Sequence, residues 1–399
     1  MSWKTQKLES VADFCLGKML DQKKNRGEPL PYLANINVRW GEFDLADLRE
    51  MRFEQHELDR YGLKNGDIVM CEGGEPGRCA IWKDQRSNMM IQKALHRIRP
   101  HDCLLPEFLY YFFLYKGRAG HLSSLFTGST IKHLPREKLA LVEIPVPPHP
   151  TQERIISILS PYDNLIENNR RRIQLLEQAA RLLYKEWFVH LRFPGHEHTR
   201  IIDGIPDGWV SNYVPEIISI NPTERIQKDA VLRYIPMAGL STTDMTIDLT
   251  ESEMRATPTS VRFRNGDVLL ARITPCLENG KTGFIDFLGA DEIACGSTEF
   301  IVLRGRLVSP YFTYCLARTH SFRETAIKSM IGSSGRQRVQ PACFDEFIVP
   351  LPKKMILEQF DDAVFSLFRQ ISTLVRQSDQ LVKARDLLLP KLMNGEVSA

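Results

Sequence analysis

No apolar run in this chain approaches the roughly 20 residues that a helix needs to cross a bilayer. The N-terminal MSWKTQKLES also lacks the apolar core of a secretory signal. The expected location is therefore the cytoplasm, with no membrane partner. Paired cysteines are missing too. Cys15, Cys71, Cys79, Cys103, Cys276, Cys295, Cys315 and Cys343 form no C-x-x-C and have no histidines at zinc-finger spacing. Reduced, mostly buried thiols are expected. His196 and His198 sit in a Pro/Gly loop without obvious further ligands, so they read as solvated, and no metal is expected. A strong charge of one sign is absent as well: 52 Lys and Arg against 49 Asp and Glu leave +3. That balance neither requires nor excludes nucleic acid, because a basic face can hide in an even total. Low-complexity tracts are lacking, and 399 residues allow two or three globular domains.

Catalytic constellations are the next absence. No G-x-S-x-G or H-E-x-x-H occurs. PCLENGKT (275–282) ends like a phosphate loop, but Pro275 stands at its first glycine and has no N–H to offer a phosphate. CEGGEPGR (71–78) matches no nucleotide-binding spacing and reads as a turn between strands. NPT (221–223) opens like the Asn-Pro-Pro-aromatic motif of amino-methyltransferases, but lacks the second Pro and the aromatic.

What the chain does contain is a repeat. LKNGDIVM (63–70) and FRNGDVLL (263–270) carry Asn-Gly-Asp at an offset of 200. Trp3, Leu8 and Val11 answer Trp209, Val214 and Ile217 at an offset of 206, and Tyr32 answers Tyr234. ALHRIRP (94–100) matches EFIVLRG (299–305), each strand-like with an Arg near its end. PEFLYYFF (106–113) matches PYFTYCLA (310–317), both helical, and EIPVP (143–147) matches FIVPLP (347–352). TGSTIKHL (127–134) faces IGSSGRQRV (331–339). The order never breaks, so the chain consists of two homologous halves. Asp67 and Asp267 admit two readings, paired catalytic acids or tight-turn residues leading into a strand, and Asn-Gly favours the turn.

Each half reads as a globule followed by a long helix. Ser160-Pro161-Tyr162-Asp163 predicts an N-cap, a first-turn proline and an acidic first turn. Apolar residues at 162, 165, 173, 176, 180, 183 and 187 recur in steps near three and four. Phe360, Val364, Leu367, Ile371, Leu374 and Leu381 do the same in the second half. The polar run Asn168–Arg172 interrupts the first seam and reads as a solvated stretch or register device, with phosphate contact as the lesser alternative. The expected fold class is α/β (α+β): two mixed domains, 1–150 and 196–352, separated by two long antiparallel coiled-coil helices, 151–195 and 353–399, with pseudo-twofold symmetry.

Basic and polar loop residues remain as candidates for DNA contact. The first half offers Lys23, Lys24, Arg26, Arg78, Ser129, Thr130, Lys132 and His133. The second offers Arg225, Lys228, Arg272, Lys281, Arg336, Gln337 and Arg338. Arginine pairs bidentately with guanine, glutamine with adenine, and hydroxyls with either. The clusters GSTIKH and GSSGRQR stand at equivalent places in the two halves, which favours DNA over ordinary surface polarity.

LLYKEWFVHLRFPG (182–195), LLLPKLMNGEV (387–397), PPHPTQERIISIL (147–159) and LEQFDDAV (357–364), in this order with NGD and TGSTIKHL, resemble the specificity subunits of type I restriction–modification systems. The resemblance covers the whole chain. It implies a non-catalytic DNA reader, each globular domain recognising one half of an asymmetric, bipartite site on double-stranded DNA. The helices would set the spacer and dock two methyltransferase (modification) subunits, with restriction (motor-nuclease) subunits outside. S-adenosylmethionine, ATP and magnesium would belong to those partners and none to this chain. Two rivals remain: a nuclease or methyltransferase acting alone, and a helical scaffold whose globules bind protein.

Overall fold

The computed structural model describes residues 3–21, 25–46, 48–227, 229–256, 260–333 and 335–396. Contacts divide the chain into two units, Met1–Leu165 with Gln380–Ala399, and Ile166–Asp379.

The first unit is built on a four-stranded antiparallel sheet ordered Ala12–Leu16, Leu95–Pro100, Ile68–Cys71, Cys79–Ile81. Ile68 and Met70 face a core shared with the helix Pro106–Arg118 and with Ile155, Leu159, Leu389 and Leu392 of the long helices. Val69 and Cys71 face a second core with Trp82 and Ile91. Both faces are covered, so this strand is apolar throughout rather than alternating. A second sheet, ordered Arg49–Phe53, Glu28–Leu33, Met90–Ile91, contains one parallel pair, Tyr32 opposite Met90. Thr5–Lys7 pairs separately with Glu143–Pro145.

The second unit repeats this plan. Its four-stranded sheet runs Ile218–Ile220, Phe300–Gly305, Val268–Ala271, Thr282–Phe284. Its companion sheet contains the parallel match of Tyr234 with Cys295, the counterpart of Tyr32 with Met90. Val210–Tyr213 pairs with Ile348–Leu351, as Thr5–Lys7 does with Glu143–Pro145.

Asn-Gly-Asp plays one role in both units. Gly66 and Gly266 each take φ of 87°, a left-handed conformation that favours glycine. Asp67 then accepts the Lys64 amide at 2.7 Å, and Asp267 the Arg264 amide at 2.7 Å, closing the turn. Their carboxylates are buried and each holds an arginine from the neighbouring strand in a fork. Arg99 donates to Asp67 through Nε and Nη2 at 2.7 Å each, and Arg304 to Asp267 at 2.6 Å each. Arg304 also donates to the buried Glu224 at 2.6 Å. The aspartates are turn residues and structural charge partners. Among the described residues, the hydrogen bonds of their carboxylates go to the fold.

The long helices are His149–Tyr184, of 36 residues and continued by a π turn at Lys185–Val189, and Lys354–Met393, of 40 residues. They run antiparallel. In the second unit Phe188 packs on Phe360 at 5.0 Å between ring centroids, and Arg172 shares a groove with Thr373 and Gln377. In the first unit Arg385 binds Asp163.

Two details of the helix reading are corrected. The first helix starts at His149, and Pro161 lies inside it. Proline forgoes a backbone hydrogen bond there, yet the preceding turns are pinned by tertiary contacts. Buried Gln152 donates to the carbonyls of Cys103 at 2.9 Å and Pro147 at 2.8 Å and accepts from the Leu105 amide at 2.7 Å. Asp163 serves Arg385 and the Tyr111 hydroxyl rather than a helix first turn. The second helix buries Phe360, Val364, Ile371 and Leu374 as expected, whereas the first keeps Ile173 and Ala180 of its expected seam and is otherwise displaced. Its buried seam runs through Leu159, Ile166, Asn169, Ile173, Glu177, Ala180, Tyr184 and Phe188, while Leu165 is 50% exposed. Polar Asn169 and Glu177 occupy seam positions, which hides the register from an apolar count.

Among the described residues no helix is long and apolar enough to cross a membrane. All eight cysteines are free thiols.

Candidate nucleic-acid interface

The two polar clusters fold into the same backbone device, a small hairpin clasped onto the loop that follows the Asn-Gly-Asp strand. In the first unit Thr127 and His133 exchange both backbone hydrogen bonds at 2.8 Å. The Leu134 amide donates to the Glu72 carbonyl at 2.7 Å, and the Glu72 amide to the Ala94 carbonyl at 2.8 Å. In the second unit Ile331 and Arg338 exchange bonds of 3.0 and 2.9 Å. Val339 donates to Arg272 at 2.8 Å, and Arg272 to Glu299 at 2.9 Å. Equivalent positions thus make the same bonds in both units. Cross-bonding of Thr274 and Gln337 at 3.0 and 2.9 Å tightens the second clasp further.

The side chains on this shared frame differ. His133 Nδ1 lies 3.1 Å from both carboxylate oxygens of Glu72. At the equivalent place Arg338 donates to Glu299 through Nε and Nη2, at 2.9 and 2.7 Å to Oε1. The fork with Glu299 holds the Arg338 guanidinium above its ordinary value. Beneath the first clasp, His96 Nε2 donates to the Leu134 carbonyl at 2.8 Å, and burial pushes this imidazole below its usual range.

The candidate residues fall into three groups. Ser129, Thr130 and Lys132 stand exposed on the first hairpin tip, beside an exposed Ile131, and Arg336 is exposed on the second tip. His133, Gln337 and Arg338 stand at the clasp itself. Arg78, Arg272 and Lys281 are engaged by the scaffold. Arg78 donates to Glu75 at 2.6 Å and to the Asn35 carbonyl at 3.0 Å. Arg272 reaches the Val339 carbonyl at 3.4 Å, and Lys281 donates to the Met237 carbonyl at 2.8 Å. Arg26 and Arg225 are exposed on the corresponding loop of each unit, between the first strand of the main sheet and the companion sheet, and share no hydrogen bond with the clasps. Lys23, Lys24 and Lys228 lie outside the described residues.

Sequence reasoning missed the carboxylates that order these loops, Glu72, Glu75 and Glu299. Only Glu75 meets its basic partner locally, Arg78 three positions on; Glu72 meets His133 across 61 positions and Glu299 meets Arg338 across 39. The sequence signal available was an acidic residue at either end of the clasped loop. No group of three or more His, Cys, Asp or Glu suited to a metal occurs among the described residues.

Residues 2–178 match the family described as "Type I restriction modification DNA specificity domain". A specificity subunit named for the type I restriction enzyme MjaIX of Methanocaldococcus jannaschii is 23% identical, over 99% of this chain and 93% of its own. The MjaVIII specificity subunit of the same organism is 22% identical, over 84% and 79%. A crystal structure of a type I restriction–modification S subunit from M. genitalium superposes with a TM-score of 0.51 at 17% identity, covering 98% of this chain and 96% of that one, which supports the shared fold. The specificity-domain match in its first half, the same strand order repeated in its second, and relatives aligned along nearly its full length make the chain similar to the specificity subunits of type I restriction–modification systems.

Proposed function

We propose that each unit reads one half of an asymmetric, bipartite site on double-stranded DNA, and that the chain itself carries out no chemistry. The observation that carries this is the pair of clasps: one backbone frame used twice, with different side chains on its exposed face. Equal frames give two reading heads, and Ser-Thr-Lys-His against Arg-Gln-Arg gives two different half-sites. The long helices, each of which begins in one unit and ends in the other, set the spacing and dock two methyltransferase subunits. Restriction subunits join that assembly. S-adenosylmethionine, ATP and magnesium belong to those partners, and the assembly works in the cytoplasm.

The test is target profiling of the chain assembled with its modification subunits, on DNA randomised at each half-site in turn. Arg336→Ala is expected to weaken or relax one half-site only, and Lys132→Ala the other only. Salt should weaken binding steeply, since phosphate contacts release counterions. Equal responses at both half-sites, or at neither, would overturn the assignment. Methyl transfer or cleavage by the purified chain alone would favour the stand-alone enzyme.

A further inference from the structure

Position 133 in the first clasp and position 338 in the second are backbone equivalents, and both carry a half-exposed base whose inner edge is held by a carboxylate. The side chains of His133 and Arg338 are 45% and 44% exposed, against 21% and 22% for Glu72 and Glu299. Glu299 takes Nε and one proton of Nη2 of Arg338. No bond within the described residues uses Nη1, so the Nη1–Nη2 edge keeps its coplanar donors. That edge has the geometry that guanine O6 and N7 accept in the major groove. The backbone is fixed at the same point by the two bonds to Ile331 and, one residue away, by Val339 to Arg272. An arginine on a flexible surface loses side-chain freedom when it binds, whereas here the fork has already fixed the guanidinium plane.

We infer that Arg338 is a base-reading residue of the second unit, directed at a guanine, and that Glu299 is its positioning residue. This rests on the DNA-reading function proposed above and assigns one base pair of its target to one side chain. Arg336, on the tip beyond the clasp, has no such carboxylate among the described residues and suits phosphate contact or a second, less constrained base contact. His133 holds the equivalent place in the first unit, where a single imidazole nitrogen in place of a forked edge imposes a different preference. The two half-sites therefore differ at corresponding steps.

The experiment profiles the chain, assembled with its modification subunits, on DNA randomised at both half-sites. Arg338→Lys keeps the charge but removes the planar edge. It is expected to cost roughly tenfold to a hundredfold in discrimination at one guanine of the second unit's half-site. Glu299→Gln is expected to reduce discrimination at the same base pair, by less. The first unit's half-site, read in the same molecules, should stay unchanged and shows that the variants are folded. If both substitutions instead weaken every base pair of the half-site evenly, Arg338 is only a brace and the inference falls, while the two-headed reading stands. If the unsubstituted assembly shows no sequence preference, the DNA-reading function itself falls, and this inference with it.

Discussion

At the residue scale the molecule separates charges that hold the fold from charges that face outward. Asp67 and Asp267 are spent on Arg99 and Arg304, and a carboxylate forked by an arginine inside a sheet has no oxygen edge left for catalysis. His96 is the more sensitive case. It is buried, its Nε2–H is given to the Leu134 carbonyl, and its Nδ1 has no partner among the described residues. Burial lowers its folded value beneath that of an unfolded histidine, near 6.5. The unfolded chain then binds the extra proton first as pH falls. The stabilisation is present above about pH 6.5 and is lost as pH drops toward the folded value, by at most about 1.4 kcal/mol per pH unit. His96→Gln is expected to flatten that acid-side loss. Hydrogen exchange followed between about pH 7 and pH 5 should show the change in the strand Leu95–Pro100 and not in Phe300–Gly305, where Ile301 replaces the histidine. Equal acid sensitivity with and without His96 would refute it.

At the scale of elements, Pro161 is the anomaly. It is exposed within the first long helix, so its replacement removes no packing. Pro161→Ala should restore a backbone hydrogen bond and stabilise the helix by about 2 kcal/mol, after allowing for the freer unfolded chain. Slower amide exchange over residues 157–165 and a higher thermal midpoint would show it; a lower midpoint would mean that the proline shapes the helix for its neighbours. This element also shows what a sequence can disclose. The core strand of each half was legible because Ile68–Cys71 and Val268–Ala271 carry the same apolar run after the same turn. The hairpin tips were legible because Gly-Ser before a basic group marks a polar turn. The helix start was not, because Pro161 mimics a first-turn proline and the groups that overrule it, at Cys103, Leu105 and Arg385, are distant in sequence. The seam was misplaced for a related reason. Glu177 is buried because it accepts from the Met245 amide at 2.8 Å and the Tyr314 hydroxyl at 2.7 Å, partners that an apolar count ignores. Likewise, basic loop residues can be collected from a sequence, but which of them are braced depends on acids such as Glu72 and Glu299 that only the fold brings near.

At the scale of the whole molecule, each long helix crosses from one unit into the other, between Leu165 and Ile166 and between Asp379 and Gln380. If the helices are the spacer, lengthening both at those junctions by one heptad keeps the seam and adds about 10.5 Å, or roughly three base pairs of B-DNA. The preferred spacer between the half-sites is expected to grow by that amount, read from the same target profiles. An unchanged spacer would remove the helices from that role.

The division of the chain also bears on its synthesis. Ile166–Asp379 is one continuous stretch, but the first unit is closed by Gln380–Ala399, which supplies Leu389, Leu392 and Met393 to its core and Arg385 to Asp163. A ribosome making roughly 5–20 residues per second delivers that closing piece roughly ten to forty seconds after Leu165. The half translated first is therefore completed last, and during that interval its apolar surface at Ile155 and Leu159 awaits partners still to be made.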